Sequence, residues 1–142
     1  LAARRVNDGM GAYVASQLVK KMTARKIRAD HAKILVLGFT FKENCGDIRN
    51  TRVADVVEEL GQFGCDVSIF DPWADPDSVA VEYGAALLTN PAEDFYDAVL
   101  IAVAHDYFRE MGSDGIKRFC KSKAVIYDLK YVLPDCDADI RL

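Results

Sequence analysis

Lys42 and Arg49 stand in one segment, Gly38 to Asn50, and both are side chains that hold anions. Lysine offers a compact charge, and arginine a planar fork that fits a phosphate or carboxylate. The segment follows a buried-looking strand, Lys33 to Leu37, and precedes a helical pattern. It therefore lies at the carboxyl end of a strand, where open α/β sheets hold their ligands. Strand-to-helix connections commonly run to about 2–6 residues, and this longer one reads as a binding loop. A phosphate placed there would meet Lys42, the unpaired N–H groups at the start of the following helix, and Arg49. The alternative is a surface loop whose Lys42 and Arg49 pair with Glu43 and Asp47.

The loop is not the usual dinucleotide turn. Its glycines stand only at positions 38 and 46, without the Gly-x-Gly-x-x-Gly spacing that lets a backbone approach a pyrophosphate. Asp71 follows the second strand, where an acidic residue would hold a ribose, but farther along than the roughly 20 residues expected. Asp71-Pro72 accordingly reads as a turn that stops the strand. Cys45 lies near Lys42, but a nucleophilic thiol needs a base or a lowered pKa, and both histidines, His31 and His105, fall in unrelated segments. Cys45 is given no catalytic role. His105 follows a buried run directly and reads as a packing or capping residue in preference to a ligand contact. Asp128-Leu129-Lys130 follows the last apolar run at the same edge, where Lys130 either adds a second cation or points into water.

The elements that must position these residues follow from periodicity. From Ala3 to about Arg25, Val6, Met10, Val14, Leu18 and Met22 form one apolar stripe with Tyr13 beside it, which predicts a helix. The cations Lys20, Lys21, Arg25, Lys26, Arg28 and Lys33 read as a solvated helix end in preference to a phosphate patch. Ile34 to Leu37 predicts a parallel strand buried on both faces. A helix is expected from Thr51 to about Phe63, capped by Asn50 or Thr51 and closed by Gly64. Asp66 to Phe70 predicts a second strand, and a right-handed crossover places both strands in one sheet. Beyond a turn at Pro72 to Pro76, the patterns give a short helix at Asp77 to Tyr83, a weak strand at Ala86 to Thr89 and a buried strand at Asp97 to Val103. A helical turn at His105 to Met111, a short helix at Ser113 to Cys120 and a final strand at Ala124 to Tyr127 complete the series. The fold class is α/β: a Rossmann-like three-layer sandwich with a mainly parallel, doubly wound sheet, preceded by the long N-terminal helix.

A chain of 142 residues, 51% hydrophobic, suits one domain with its own core. The net charge of -4 lacks the basic footprint of a nucleic-acid binder and argues against an anionic membrane surface. The four cysteines are dispersed, with no Cys-x-x-Cys pair, so a zinc site is not expected and the thiols read as reduced, in the cytoplasm. The longest apolar run, Ala98 to Ala104, is too short to cross a bilayer. The opening Leu-Ala-Ala-Arg-Arg has no methionine and runs straight into helix pattern, as expected of a piece of a longer protein.

Phe41-Lys42 through Asp47-Ile48-Arg49 to Thr51 resembles the Phe-Lys-x-x-x-x-Asp-x-Arg-x-Ser/Thr signature of the carboxyl-terminal, UDP-binding domain of the UDP-glucose/GDP-mannose dehydrogenase family. Phe70-Asp71-Pro72 and Asp128-Leu129-Lys130 fit that family as well. The opening Arg4 to Met10 is similar to the end of the central helix that joins the two nucleotide-binding halves of these enzymes and packs across their subunit interface. The resemblance divides the chain into residues 1–30, the end of that interdomain and dimerisation helix, and residues 31–142, the UDP-binding domain. The loop looks most like that of members oxidising UDP-N-acetylhexosamines for bacterial surface polysaccharides, with Gly46 where those often carry proline.

The resemblance implies an NAD-dependent UDP-sugar 6-dehydrogenase that takes the sugar C6 alcohol to a carboxylate. The family's reactive cysteine belongs to a Gly-Gly-x-Cys segment expected upstream, so this piece alone is expected to be inactive. Carried over residue by residue, Phe41 and Lys42 contact the UDP-sugar and Lys130 lies near it. Arg49 reaches NAD bound mainly by the amino-terminal domain, and Asp47 organises the loop. The implied partners are a UDP-sugar, the rest of the polypeptide, and a second copy in a homodimer through the N-terminal helix, with no nucleic acid and no membrane. The rival readings are a non-catalytic Rossmann-like nucleotide-binding or regulatory module, and a dimerisation domain.

Overall fold

A computed structural model describes residues 2–142, with side chains described from Gly9 onward. The side chains of Val6 and of the Arg4–Asp8 part of the motif lie outside the described residues. The chain runs α1 (Ala2–Ala24), β1 (Lys33–Leu37), α2 (Val53–Gln62), β2 (Asp66–Phe70), α3 (Pro76–Tyr83), β3 (Tyr96–Ile101), α4 (Asp106–Lys117), β4 (Cys120–Asp128), a 3-10 turn (Asp135–Asp137) and β5 (Ile140–Arg141).

The strands form one sheet in the order β2-β1-β3-β4-β5, and every pairing is parallel. β1 lies inside the sheet, which is why its residues are apolar without alternation: Ile34, Leu35, Val36 and Leu37 are all buried. Ile34 and Val36 face Val14, Leu18 and Met22 of α1 and Val56 and Leu60 of α2, while Leu35 and Leu37 face Phe108 and Ile116 of α4. The result is helices α1 and α2, the sheet, and α4 in three layers. Each such side chain contributes about 1.5–3 kcal/mol on burial, most of it offset by lost chain entropy. A core of this kind fixes the strand ends, and with them the starting points of the loops.

The connections decide where a crevice opens. From β1 the chain passes through α2 to β2 on one side, then crosses back to β3 on the other side of β1. The loops leaving β1 and β3 therefore diverge at the carboxyl edge, the switch point where ligands bind in open α/β folds.

Several expectations need correction. Residues 86–89 form no strand: a single bridge, Leu87 with Ile69, is all that pairs, because Gly84 and Pro91 leave little chain between turns. β4 begins at Cys120, well before Ala124, paired there with Tyr96 of β3; its exposed Lys121, Ser122 and Lys123 carry no apolar pattern that would show this in the sequence. β5 was invisible to periodicity, being two residues long. Helix α2 starts at Val53, because Asn50 adopts a left-handed φ of 57° and Arg52 takes the N-cap position, where its side chain does not cap the helix. Thr51 still serves that end, its Oγ1 accepting from the Val53 N–H at 3.3 Å. Gly64 follows the helix at φ 88°, as expected. The helical turn and short helix expected after β3 are the two halves of α4, kinked where Gly112 leaves helical geometry.

Candidate functional site

The loop after β1 is pinned before it reaches its cations. Gly38 takes φ 99°, and a Cβ there would lie 2.6 Å from Cβ of Val103, so only glycine lets the ends of β1 and β3 approach so closely. Phe39 and Thr40 then donate their N–H groups to Oδ2 of Asp71 at 2.6 and 3.0 Å. Asp71 also accepts from the Trp73 N–H through Oδ1 at 2.8 Å and from His105 Nε2 at 3.0 Å. Burial pushes the Asp71 carboxyl upward, but the hydrogen bonds from His105 and from the Phe39 and Trp73 N–H groups outweigh it and hold the group below the ordinary carboxylate range. A buried carboxylate without such donors would be too costly to keep charged.

His105 joins this network from the end of β3. The Asn44 N–H can only donate, so Nδ1 of His105, 2.9 Å away, is the acceptor and the ring proton sits on Nε2. That proton is shared between Asp71 and Thr40 Oγ1, 3.2 Å away, while the Thr40 hydroxyl donates to the carbonyl of Lys42 at 3.0 Å. Farther along, the Phe41 N–H reaches the Asp47 carbonyl at 2.7 Å. Asp47 accepts from the N–H, Nε and Nη2 of Arg49, and these bonds pull its carboxyl down to about 2. The loop is thus a closed turn fastened at its base.

Above that base lies a cleft of about 280 Å³. Thr40 to Glu43 form one wall, Asn50 to Val53 at the start of α2 another, Ala102 to Ala104 the floor beyond β3, and Met10, Gly11 and Val14 of α1 the back. Lys42 and Lys130 both line it, and neither ammonium has a hydrogen-bond or ion-pair partner among the described residues. Arg52 adds a third cation at the helix start, with Asp55 3.9 Å from its guanidinium. The arrangement offers positive charge at a helix amino end beside an apolar wall, which suits a phosphorylated ligand with a flat organic part.

The structure separates two residues that the sequence placed at one phosphate. Lys42 faces the cleft, whereas Arg49 lies outside it, with its side chain 79% exposed and paired to Asp47, in a shallow depression shared with Phe41 and Asn50. The expected alternative of an Arg49–Asp47 pair is therefore realised, while no such pair joins Lys42 to Glu43 among the described residues. Phe41, 59% exposed, borders both hollows. Lys130 lies at the cleft, its backbone held by the Asp128 carboxylate, which accepts from the N–H groups of Lys130, Val132 and Leu133. Asp71 is more than a strand stop, because its carboxylate ties the bases of two loops together. His105 is fully buried and stands at the N-cap position of α4, yet its side chain makes no cap there. Asn44 supplies that bond instead, its Oδ1 accepting from the Asp106 N–H at 3.0 Å. Asn44 and Arg52 are the site residues that sequence reasoning missed; the signal available for the first was its residue type, since asparagine favours the left-handed backbone that Asn44 adopts at φ 54°.

The thiols do not enter the site chemistry. Burial pushes Cys65 and Cys120 up to about 11, and Cys45 does not line the cleft. Among the described residues no helix is long and apolar enough to cross a membrane.

The chain has relatives among known proteins. The family model described as "UDP-glucose/GDP-mannose dehydrogenase family, UDP binding domain" matches residues 35–135, which take in the whole loop and Lys130. A UDP-N-acetyl-D-glucosamine 6-dehydrogenase of Salmonella typhi is 53% identical over 142 residues, covering 100% of this chain and 33% of its own length. The enzyme of the same name from Pseudomonas aeruginosa is 49% identical, again across the full chain and 34% of its own length. Among solved structures, an NDP-N-acetyl-D-galactosaminuronic acid dehydrogenase from Methanosarcina mazei Go1 superposes with a TM-score of 0.80 at 26% identity, over 96% of this chain and 28% of that one. The chain spans about a third of the length of the curated relatives it matches.

Proposed function

Because this chain belongs to the UDP-glucose/GDP-mannose dehydrogenase family and forms its UDP-binding domain, we propose that it holds the nucleotide-sugar substrate of an NAD-dependent UDP-sugar 6-dehydrogenase. The substrate is a UDP-N-acetylhexosamine, oxidised at C6 to the uronic acid for surface polysaccharide. The observation that carries this reading is the pair Lys42 and Lys130, which line one cleft at the switch point, beside the start of α2, with no carboxylate partner among the described residues. Phe41 and Lys42 contact the UDP-sugar and Lys130 neutralises its diphosphate, so that binding energy remote from the sugar orients the reacting carbon.

The cofactor does not fit this cleft as its main site. The loop after β1 has no dinucleotide glycine turn, and Arg49, outside the cleft and 79% exposed, is the residue offered toward NAD held by another domain of the polypeptide. NAD, when bound, supplies the hydride acceptor. Residues 1–30 carry the end of an interdomain helix, which is α1 as far as Ala24, and residues 31–142 the UDP-binding domain, with a homodimer built through α1, where Met10 and Tyr13 are 36% and 49% exposed. The protein works in the cytoplasm, where nucleotide sugars and reduced thiols coexist.

Calorimetric titration of the full-length protein with UDP tests the reading. Replacing Lys42 by alanine removes a charge-assisted contact of about 1.5–3 kcal/mol, so the affinity should fall roughly ten- to hundredfold. Unchanged affinity in Lys42→Ala would overturn the assignment.

A further inference from the structure

We infer that His105 is a positioning residue for nucleotide binding, acting through Asn44 as a latch that sets where the Phe41–Lys42 segment stands over the cleft. This rests on the reading of that cleft as the UDP site. Three loops that leave the carboxyl edge separately, after β1, β2 and β3, converge on one buried pair, His105 and Asp71, both with fully buried side chains. Each ring nitrogen has a different duty. Nε2 donates to Asp71, which holds the base of the loop at Phe39 and Thr40, and Nδ1 accepts from the Asn44 N–H two residues beyond Lys42. Thr40, in contact with the same Nε2, donates to the Lys42 carbonyl. The backbone of Lys42 is therefore gripped on both sides by groups that the imidazole sets. Asn44 closes the latch from the other direction by capping α4.

Packing alone does not explain the choice of residue. A buried apolar ring at position 105 would still fill the space beside Phe108 and under Trp73, whose rings lie 5.6 and 6.2 Å from the imidazole. It would leave Asp71 short of a donor and the Asn44 N–H without an acceptor. The two duties also separate by substitution. Glutamine reaches the Nε2 position and keeps a donor for Asp71, while asparagine places its amide oxygen near the Nδ1 position and keeps the acceptor for Asn44.

The test compares wild type, His105→Gln, His105→Asn and Asn44→Gly in the full-length protein, by UDP titration, thermal melting and amide hydrogen exchange. Loss of one neutral hydrogen bond at the latch should weaken UDP binding in His105→Gln about three- to tenfold, with faster exchange at the Asn44 amide and retained protection at Phe39 and Thr40. His105→Asn should recover most of the affinity even if it melts lower, a reversal that a purely structural role would not produce. Asn44→Gly, which keeps the left-handed backbone and the N–H to His105 but loses the α4 cap, should bind UDP a few-fold more weakly. Wild-type affinity in His105→Gln would overturn the latch alone, and so, should that variant not fold, would a three- to tenfold loss of affinity in His105→Asn, which keeps the acceptor for Asn44. Absence of UDP binding by the wild type would overturn the proposed function and the latch together.

Discussion

The two edges of the sheet hold their lysines in opposite ways, although Arg49 and Arg52 at the carboxyl edge do meet Asp47 and Asp55. At the amino edge, Arg25 meets Asp139, Lys33 meets Asp66, Lys117 meets Asp137 and Lys121 meets Asp97. At the carboxyl edge, Lys42 and Lys130 share a cleft and neither meets a carboxylate among the described residues. Solvent-exposed pairs of the first kind contribute about 0–1 kcal/mol and serve mainly to balance charge. Two ammonium groups that line one cleft beside a helix amino end, with no carboxylate partner among the described residues, make sense once an anion lies between them. On the proposed function, the contrast separates a binding surface from a merely charged one, which neither net charge nor the count of lysines does.

The strongest way to break the comparison is to disturb the carboxyl edge at its hinge. Gly38→Ala must place a Cβ against Val103 in a left-handed backbone, and about 2–5 kcal/mol of stability should be lost in denaturant unfolding. Acid probes both edges at once. Asp47 and Asp71 at one edge, and Asp66 and Asp137 at the other, have native pKa values below the ordinary 3.8. Each stabilises the fold fully above about pH 4, and the contribution drains as pH falls through that range toward about 2, where Asp47 titrates. Unfolding followed across that window should show the loss, and a flat profile would contradict it. Lys130→Ala should weaken UDP binding by about 1 kcal/mol, some fivefold, less than Lys42→Ala because its position at the cleft is more peripheral to the loop. Smallest of all, Lys121→Ala at the amino edge should leave UDP affinity unchanged and shift stability by less than about 1 kcal/mol.

Much of this was legible in the sequence because burial leaves periodic traces. β1 was readable to the residue, since an interior parallel strand is apolar on both faces, and α2 was readable from Val53, Val56 and Leu60. The loop announced itself by its length and by Lys42, but loops have no fixed period, so the sequence could not show that Lys42 and Arg49 turn to different hollows. The latch of Asp71, His105 and Asn44 joins residues from distant parts of the chain through hydrogen bonds, which impose no spacing at all. The polar start of β4 and the short β5 escaped for a related reason: their pairing is set by the neighbouring strand and not by their own side chains.

The most direct test of the central claim is a crystal of the protein soaked with UDP. Diphosphate density between Lys42 and Lys130, against the first turn of α2, is the result expected. Density among Arg25, Lys117 and Lys121 at the opposite edge, with Lys42 turned to solvent, would contradict the account.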